Sequence, residues 1–215
     1  IQSRNKLGEK KGREVDISYD LSTGIKPVTE IKPKEISFEI FNNLPMPTIT
    51  PPDKDSSIWR REFYTYLKEI MVRITPPGKV KLVDFILNKR TIEEVWIPVF
   101  TSVIVNPEPR LNYDTYEKIG DSSMTSYFLN YMSCRYLDAT PAQLNNWKTT
   151  YLSTGFQSEI GTKMGLHKWC FLPEVLRKNA KIAEDLIEAF FGGLEEVLKP
   201  DKTSSYPKII GKIFF

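Results

Sequence analysis

Between Ile58 and Ile74 the apolar residues fall at Trp59, Phe63, Leu67, Ile70, Met71 and Ile74. A recurrence every three or four residues places them on one face of an amphipathic helix. Asp55 or Ser56 stands where a cap is needed, and Thr75-Pro-Pro-Gly78 stops the pattern. Val80 to Leu87 supplies another apolar stretch before Asn88-Lys-Arg90. Thr91 is then predicted to cap a helix with Glu93 and Glu94 in its first turn, and that helix must end near Pro98 or tolerate it. After the loop Asn106-Pro-Glu-Pro109, a longer helix is predicted to run to about Tyr136. Thr140-Pro141 fits a cap and first helical position, opening a helix through Tyr151. Another runs from about Ser153 to Lys163, with Gly165 ending it. Glu174 to Asn179 and Ala180 to Leu198 complete the pattern, the latter stopped by Lys199-Pro200, and Tyr206 to Phe215 forms a last apolar piece read as a helix. The period is helical almost throughout, and no repeat of roughly 20–50 residues is present. The predicted fold class is all-α.

Residues 1–56 read differently. Asn5 to Arg13 is charged and polar, while Ile25 to Lys34 and Leu44 to Asp53 are rich in proline. Proline fixes φ and removes a donor, so this stretch is expected to be a largely irregular N-terminal arm, with the helical domain at 57–215. Glu35-Ile-Ser-Phe-Glu-Ile-Phe41 alternates apolar and polar residues, which suits either a short strand or an extended arm lying over the domain.

Composition narrows the class. With 215 residues and 40% hydrophobic side chains, the chain is long enough for one domain with a sizeable core. Lys and Arg number 30 against 27 Asp and Glu, a net charge of +3, so nucleic-acid binding does not follow from charge alone. Cys134 and Cys170 are expected to be free thiols of a protein in a reducing, intracellular compartment. No apolar run approaches the roughly 20 residues of a membrane span, and no signal peptide is visible. The chain begins with Ile rather than Met, as in a fragment or a processed product. The single histidine, His167, excludes a His-rich metal site and is read as structural.

The candidate chemistry lies in two short acidic motifs about 65 residues apart: Tyr113-Asp-Thr-Tyr-Glu-Lys-Ile-Gly-Asp-Ser122 and Asp185-Leu-Ile-Glu-Ala-Phe-Phe-Gly-Gly193. On helices, Glu117 and Asp121 share a face, as do Asp185 and Glu188, with Asp114 one turn before Glu117. Four or five carboxylates converging in an apolar bundle repel one another and resist desolvation, and such clusters are commonly retained because they hold divalent cations. Hard Mg²⁺ takes oxygen ligands, so Asp and Glu suffice.

Glu117-Lys-Ile-Gly-Asp-Ser122 resembles the Glu-Phe-Leu-Gly-Asp-Ser motif of the ribonuclease III family, and Asp185-Leu-Ile-Glu-Ala-Phe-Phe-Gly192 resembles its Asp-x-x-Glu-Ala-x-x-Gly motif. Between them, Leu144-Asn-Asn-Trp-Lys to Ser158-Glu-Ile-Gly-Thr-Lys-Met-Gly-Leu166 is similar to the family's central helices. Upstream, Thr91 to Ser102 sits where the family has a helix ending in Thr-His-x-Ser. The resemblance spans about residues 80 to 200. It implies a ribonuclease III endonuclease-type helical bundle with the two acidic helices crossing at its centre. It further implies Glu117, Asp121, Asp185 and Glu188 as catalytic metal ligands, Asp114 and Ser122 in support, and Gly120 as the point of close helix approach. Mg²⁺ is the implied cofactor, with Mn²⁺ as a substitute. The implied activity is hydrolysis of double-stranded or hairpin RNA to 5′-phosphate and 3′-hydroxyl ends, by a homodimer or heterodimer and without a membrane.

Two departures from the family pattern bear on this reading. Lys118 stands where the family has an aromatic residue that enters a socket on the partner subunit, so the interface is remodelled, the partner is a different chain, or the usual dimer does not form. No double-stranded-RNA-binding domain is visible, which leaves affinity to the helical domain, the arm or a partner, with Lys148, Lys163, Lys168, Arg177 and Lys178 as candidate phosphate contacts. The competing function is a non-catalytic scaffold or RNA-binding subunit of a ribonucleoprotein complex.

Overall fold

The computed structural model describes residues 38–50, 52–177, 179–199, 209 and 213. The chain divides between Lys34 and Glu35, and the described residues all belong to the second part. They are helical, with no strand among them and a single isolated bridge between Thr101 and Phe171. The elements are α1 (Ser57–Ile74), α2 (Val80–Ile86), α3 (Lys89–Thr91), a π-helical turn (Ile92–Trp96), α4 (Ile97–Val99), α5 (Tyr113–Arg135), α6 (Pro141–Tyr151), α7 (Thr154–Met164), α8 (Leu166–Trp169) and α9 (Ala180–Leu198).

Local signals explain most boundaries. Ser56 caps α1, its side chain accepting from the Trp59 N–H at 3.3 Å. Thr140 and Gln143 form a reciprocal capping box at α6, with Pro141 in the first turn. Ser153 caps α7, which Gly165 ends in the left-handed region at φ 71°.

Three expectations are corrected, and one alternative is decided: the helix tolerates Pro98. Thr91 is not the cap of its helix: the Asn88 side chain accepts from the Thr91 N–H at 3.1 Å, so the helix starts earlier. The chain stays helical through Pro98 by way of the π turn. In a regular helix the Glu94 carbonyl would accept from residue 98, which here has no N–H; the Tyr116 hydroxyl donates to it instead, at 3.2 Å. Of the described residues of Glu174 to Asn179, only Glu174–Leu176 are helical, as a 3₁₀ turn. Phe38–Phe41 is likewise a 3₁₀ turn, neither a strand nor an extended arm. Arg73 at the end of α1 holds that turn by donating to the carbonyls of Ile40 and Asn42 at 2.9 and 2.6 Å, and Phe41 is buried in the core. Thr48 ties the next stretch to α1 through both oxygens of Glu62. Of the Tyr206–Phe215 piece, Ile209 and Ile213 are helical and buried, and the rest lies outside the described residues, as do residues 1–37 of the expected arm.

An aromatic core gathers under α1. Trp59 stacks on Phe63 with ring centres 4.6 Å apart, and Tyr66 stacks on Trp169 at 4.8 Å. Phe63 meets Phe100 edge-on at 5.1 Å, and Phe171 lies 4.6 Å from Trp59. The buried Tyr66 hydroxyl donates to the Met164 carbonyl at 3.0 Å, so that ring brings no unpaired donor into the core. Helix α9 runs through the middle, buried on almost every side from Ile182 to Leu198. It packs along α5 and α7. Phe128, Met132 and Tyr151 form a smaller second cluster between α5 and α6.

Candidate functional site

Helices α5 and α9 touch backbone to backbone. A Cβ on Gly120 would lie 1.7 Å from the Glu188 carbonyl oxygen, and one on Gly192 would lie 1.9 Å from the Tyr116 carbonyl oxygen. Any side chain at either position forces the helices apart, so the two glycines set the crossing. Helix α7 meets α9 in the same way at Gly161, where a Cβ would be 2.2 Å from the Ala183 carbonyl. Asn112 starts α5, its side chain accepting from the Asp114 N–H at 3.1 Å while its amide donates to the carbonyls of Asn106 and Glu108. The Tyr113 N–H donates to the Thr101 carbonyl at 2.8 Å, which fixes how the helix enters.

The crossing brings the acids of the two motifs within electrostatic reach of one another. Burial pushes the Glu188 carboxyl up to about 7, and Asp121, Glu184, Glu117 and Asp185 push it in the same direction. Burial also raises Asp185; the ammonium of Lys181 opposes that shift and Glu117 adds to it. Asp114 is raised by burial first and by Glu117 second. Glu117, Asp121, Asp185 and Glu188 therefore share one electrostatic environment. Asp121 and Ser122 are exposed, and Asp185 is buried.

Three participants at this crossing escaped the sequence reading. Glu184 is buried and accepts from the Thr154 hydroxyl at 2.7 Å. Lys181 lies over Asp185 and Glu184, with its ammonium 2.9 Å from Asp185 Oδ1 and 3.4 Å from Glu184 Oε2. Its i, i+4 spacing to Asp185 is the signal that could have found it. Tyr113, a buried phenol with Asp185 and Asp114 nearby, is pushed well above its ordinary value, chiefly by burial.

Lys118 does not project away from the site. Its ammonium folds back onto Glu117 Oε1 at 2.5 Å, where Glu188 and Asp121 also act on it. Arg177, expected as a phosphate contact, donates to the carbonyls of His167, Cys170 and Leu172, and so ties down the end of α8. Lys178 lies outside the described residues, while Lys148 and Lys168 are half-buried and Lys163 is exposed. Burial lowers the His167 imidazole below its ordinary value, in keeping with a structural role. Both cysteines are free, Cys170 buried and Cys134 exposed.

The donor set is all carboxylate, the chemistry that hard divalent cations take, and mutual repulsion at Glu188 is what a bound cation relieves. As the side chains stand, no group of three or more His, Cys, Asp or Glu residues among the described ones is gathered closely enough to hold a metal ion. The donors are of the type that Mg²⁺ takes, but as placed they are too far apart, and to hold such an ion they would have to draw together.

No family model matches the chain, and no curated protein does. Among solved structures it is similar to the nuclease domain of ribonuclease III from Campylobacter jejuni, a structure concerned with flexibility in a region involved in dimer formation. The TM-score is 0.46 at 14% identity, over 58% of this chain and 83% of that one. A likeness of that size carries no argument about function. No helix among the described residues is long and apolar enough to cross a membrane.

Proposed function

We propose that the α5–α9 crossing is the active site of a divalent-metal-dependent endoribonuclease that hydrolyses double-stranded or structured RNA. The observation that supports this most is the shared environment of Glu117, Asp121, Asp185 and Glu188. Two motifs about 65 residues apart supply these acids, and at the glycine crossing burial first, and the neighbouring acids second, push Glu188 up to about 7. The sequence resemblance to ribonuclease III supplies the reaction type.

In this reading the four acids hold Mg²⁺, with Mn²⁺ as a substitute. A divalent ion held by Glu117, Asp121, Asp185 and Glu188 would supply activation of water and charge stabilisation at the leaving oxygen of a phosphodiester. Asp185 and Glu188 present their carboxylates from a helix locked on nearly all sides, so their backbone positions are fixed before any ligand arrives. Asp121 sits on the solvent side, where an RNA backbone has access. Asp114 and Ser122 support the edge of the site. A dimer is part of this reading. Because Lys118 turns back to Glu117 in cis, any dimer formed would have to do without a residue reaching into a partner socket from this position.

The second reading is a non-catalytic scaffold or RNA-binding subunit. It is favoured by the two lysines paired with the acids and by the lack of a gathered ligand set. Cleavage of a labelled RNA duplex with Mg²⁺ separates the two, with dimerisation measured on the same samples. The nuclease reading expects metal-dependent cleavage that falls at least about 100-fold in Glu188→Gln. Duplex binding without cleavage by either protein would select the scaffold.

A further inference from the structure

The cluster carries its own cations. Lys181 reaches Asp185 and Glu184 at 2.9 and 3.4 Å, and Lys118 reaches Glu117 at 2.5 Å. The lysines approach from opposite helices, α9 and α5, and each takes one of the acids assigned to the metal. Their own side chains are 64% and 78% exposed, whereas the carboxylates they hold are only 10–14% exposed. The anions are thus fixed and shielded, while the ammonium groups hang at the ends of long, solvated stems. Such a stem can swing into water without disturbing the core.

We propose that Lys118 and Lys181 are exchangeable internal counter-cations of this site, and that a divalent cation enters by displacing their ammonium groups from Glu117 and Asp185. The proposal rests on the metal-site reading above and deepens it. A cation bound to Asp185 Oδ1 at the usual Mg–O distance would stand no more than about 5 Å from the Lys181 ammonium where it now lies. Like charges so close in a half-buried site repel strongly, and Lys118 stands in the same relation to Glu117. Both acids serve a metal best once the lysines leave.

Calorimetric titration with Mn²⁺ tests this on the full chain, comparing the unaltered protein, Lys118→Met, Lys181→Met, the double variant, Lys181→Arg and Glu188→Gln. Each single Met variant is expected to bind Mn²⁺ about three- to fivefold more tightly, and the double variant about tenfold or more. Lys181→Arg keeps the charge and should stay close to the unaltered protein, while Glu188→Gln should weaken binding and so locate it at this site. Thermal unfolding gives a second readout: Lys181→Met is expected to melt below the unaltered protein in chelator and at or above it in saturating Mn²⁺. If the unaltered protein binds Mn²⁺ and the Met variants bind no tighter, displacement is overturned while the metal site survives. If none of the folded proteins binds Mn²⁺, the metal-site reading fails and displacement fails with it.

Discussion

The aromatic core under α1 and the acidic crossing of α5 and α9 are built on opposite principles. In the core, Trp59, Phe63, Tyr66, Phe100 and Trp169 are wholly buried, and large rings fill the space between helices. At the crossing that space is abolished, because Gly120 and Gly192 let two backbones touch. The core draws its stability from the area it removes from water. The crossing spends stability on a set of carboxylates that burial and mutual repulsion disfavour. Large residues and no charge make a rigid platform, whereas small residues and crowded charge leave carboxylates that burial disfavours.

The largest effect expected from breaking this contrast is in the core. Trp59→Ala leaves a cavity where two neighbouring rings, Phe63 and Phe171, each lie 4.6 Å away. The expected loss is about 3–5 kcal/mol, read from the midpoint of urea unfolding at constant slope. A loss under about 1 kcal/mol would mean that the rings collapse into the gap and that the platform is softer than its packing indicates.

Close behind comes Gly192→Ala, which drives a Cβ to 1.9 Å from the Tyr116 carbonyl oxygen. Backbone cannot give way as a side-chain tip can, so α5 and α9 must separate at a cost of about 3 kcal/mol. Gly155→Ala is the control, since a Cβ there meets nothing within 4 Å. That change is expected to be neutral or to stabilise by up to about 1 kcal/mol, through better helix propensity. Equal losses at the two positions would show that the crossing is not the tight point of the fold.

How far the sequence foretold each region follows from the physics of each. The core helix α1 was legible because its apolar positions keep strict helical spacing and Ser56 caps it with a standard hydrogen bond. The acids of the crossing were legible as two motifs, and the helices that carry them fall where the spacing put them. Of their neighbours, Lys181 was legible in principle from its i, i+4 spacing to Asp185, but Lys118 and Glu184 were not. Lys118 neighbours Glu117 at i, i+1, a spacing that does not share a helix face, and only its long stem lets it curl back. Glu184 lay outside the sequence reading, because only the packing of α7 brings Thr154 against it. The Thr91 cap failed because Asn88, three residues earlier, already accepts from the Thr91 N–H, while Pro98 is carried through by a π turn and the Glu94 carbonyl accepts from Tyr116 of another helix. Tertiary contacts of this kind leave no trace in local periodicity.

The smallest expected effect, and the one that sharpens the contrast most, is the pH dependence at Glu188. Its carboxyl stands at about 7 when folded against an ordinary 4.5. Between those values the folded chain keeps a proton that the unfolded chain has released, so the group's contribution falls as pH rises through this window. It is complete below about 4.5 and lost above about 7. Glu188→Gln cannot ionise, and the variant should gain on the unaltered protein over that same interval. The carboxyl is half-buried, so the gain at pH 8 is expected to be about 1 kcal/mol after allowance for solvent screening, and close to zero at pH 4.5. His167 runs the other way: burial holds its imidazole below the ordinary value, so its contribution is lost as pH falls. That loss is common to both proteins and cancels in the difference. Urea unfolding of the pair at pH 5 and pH 8, in chelator, measures it. A gap of the same size at both pH values would show that Glu188 ionises as it would in water and that the crossing does not crowd its carboxylates. With Mn²⁺ added at pH 8, a cation held at the crossing should reverse the order, because it stabilises only the protein that keeps the carboxylate.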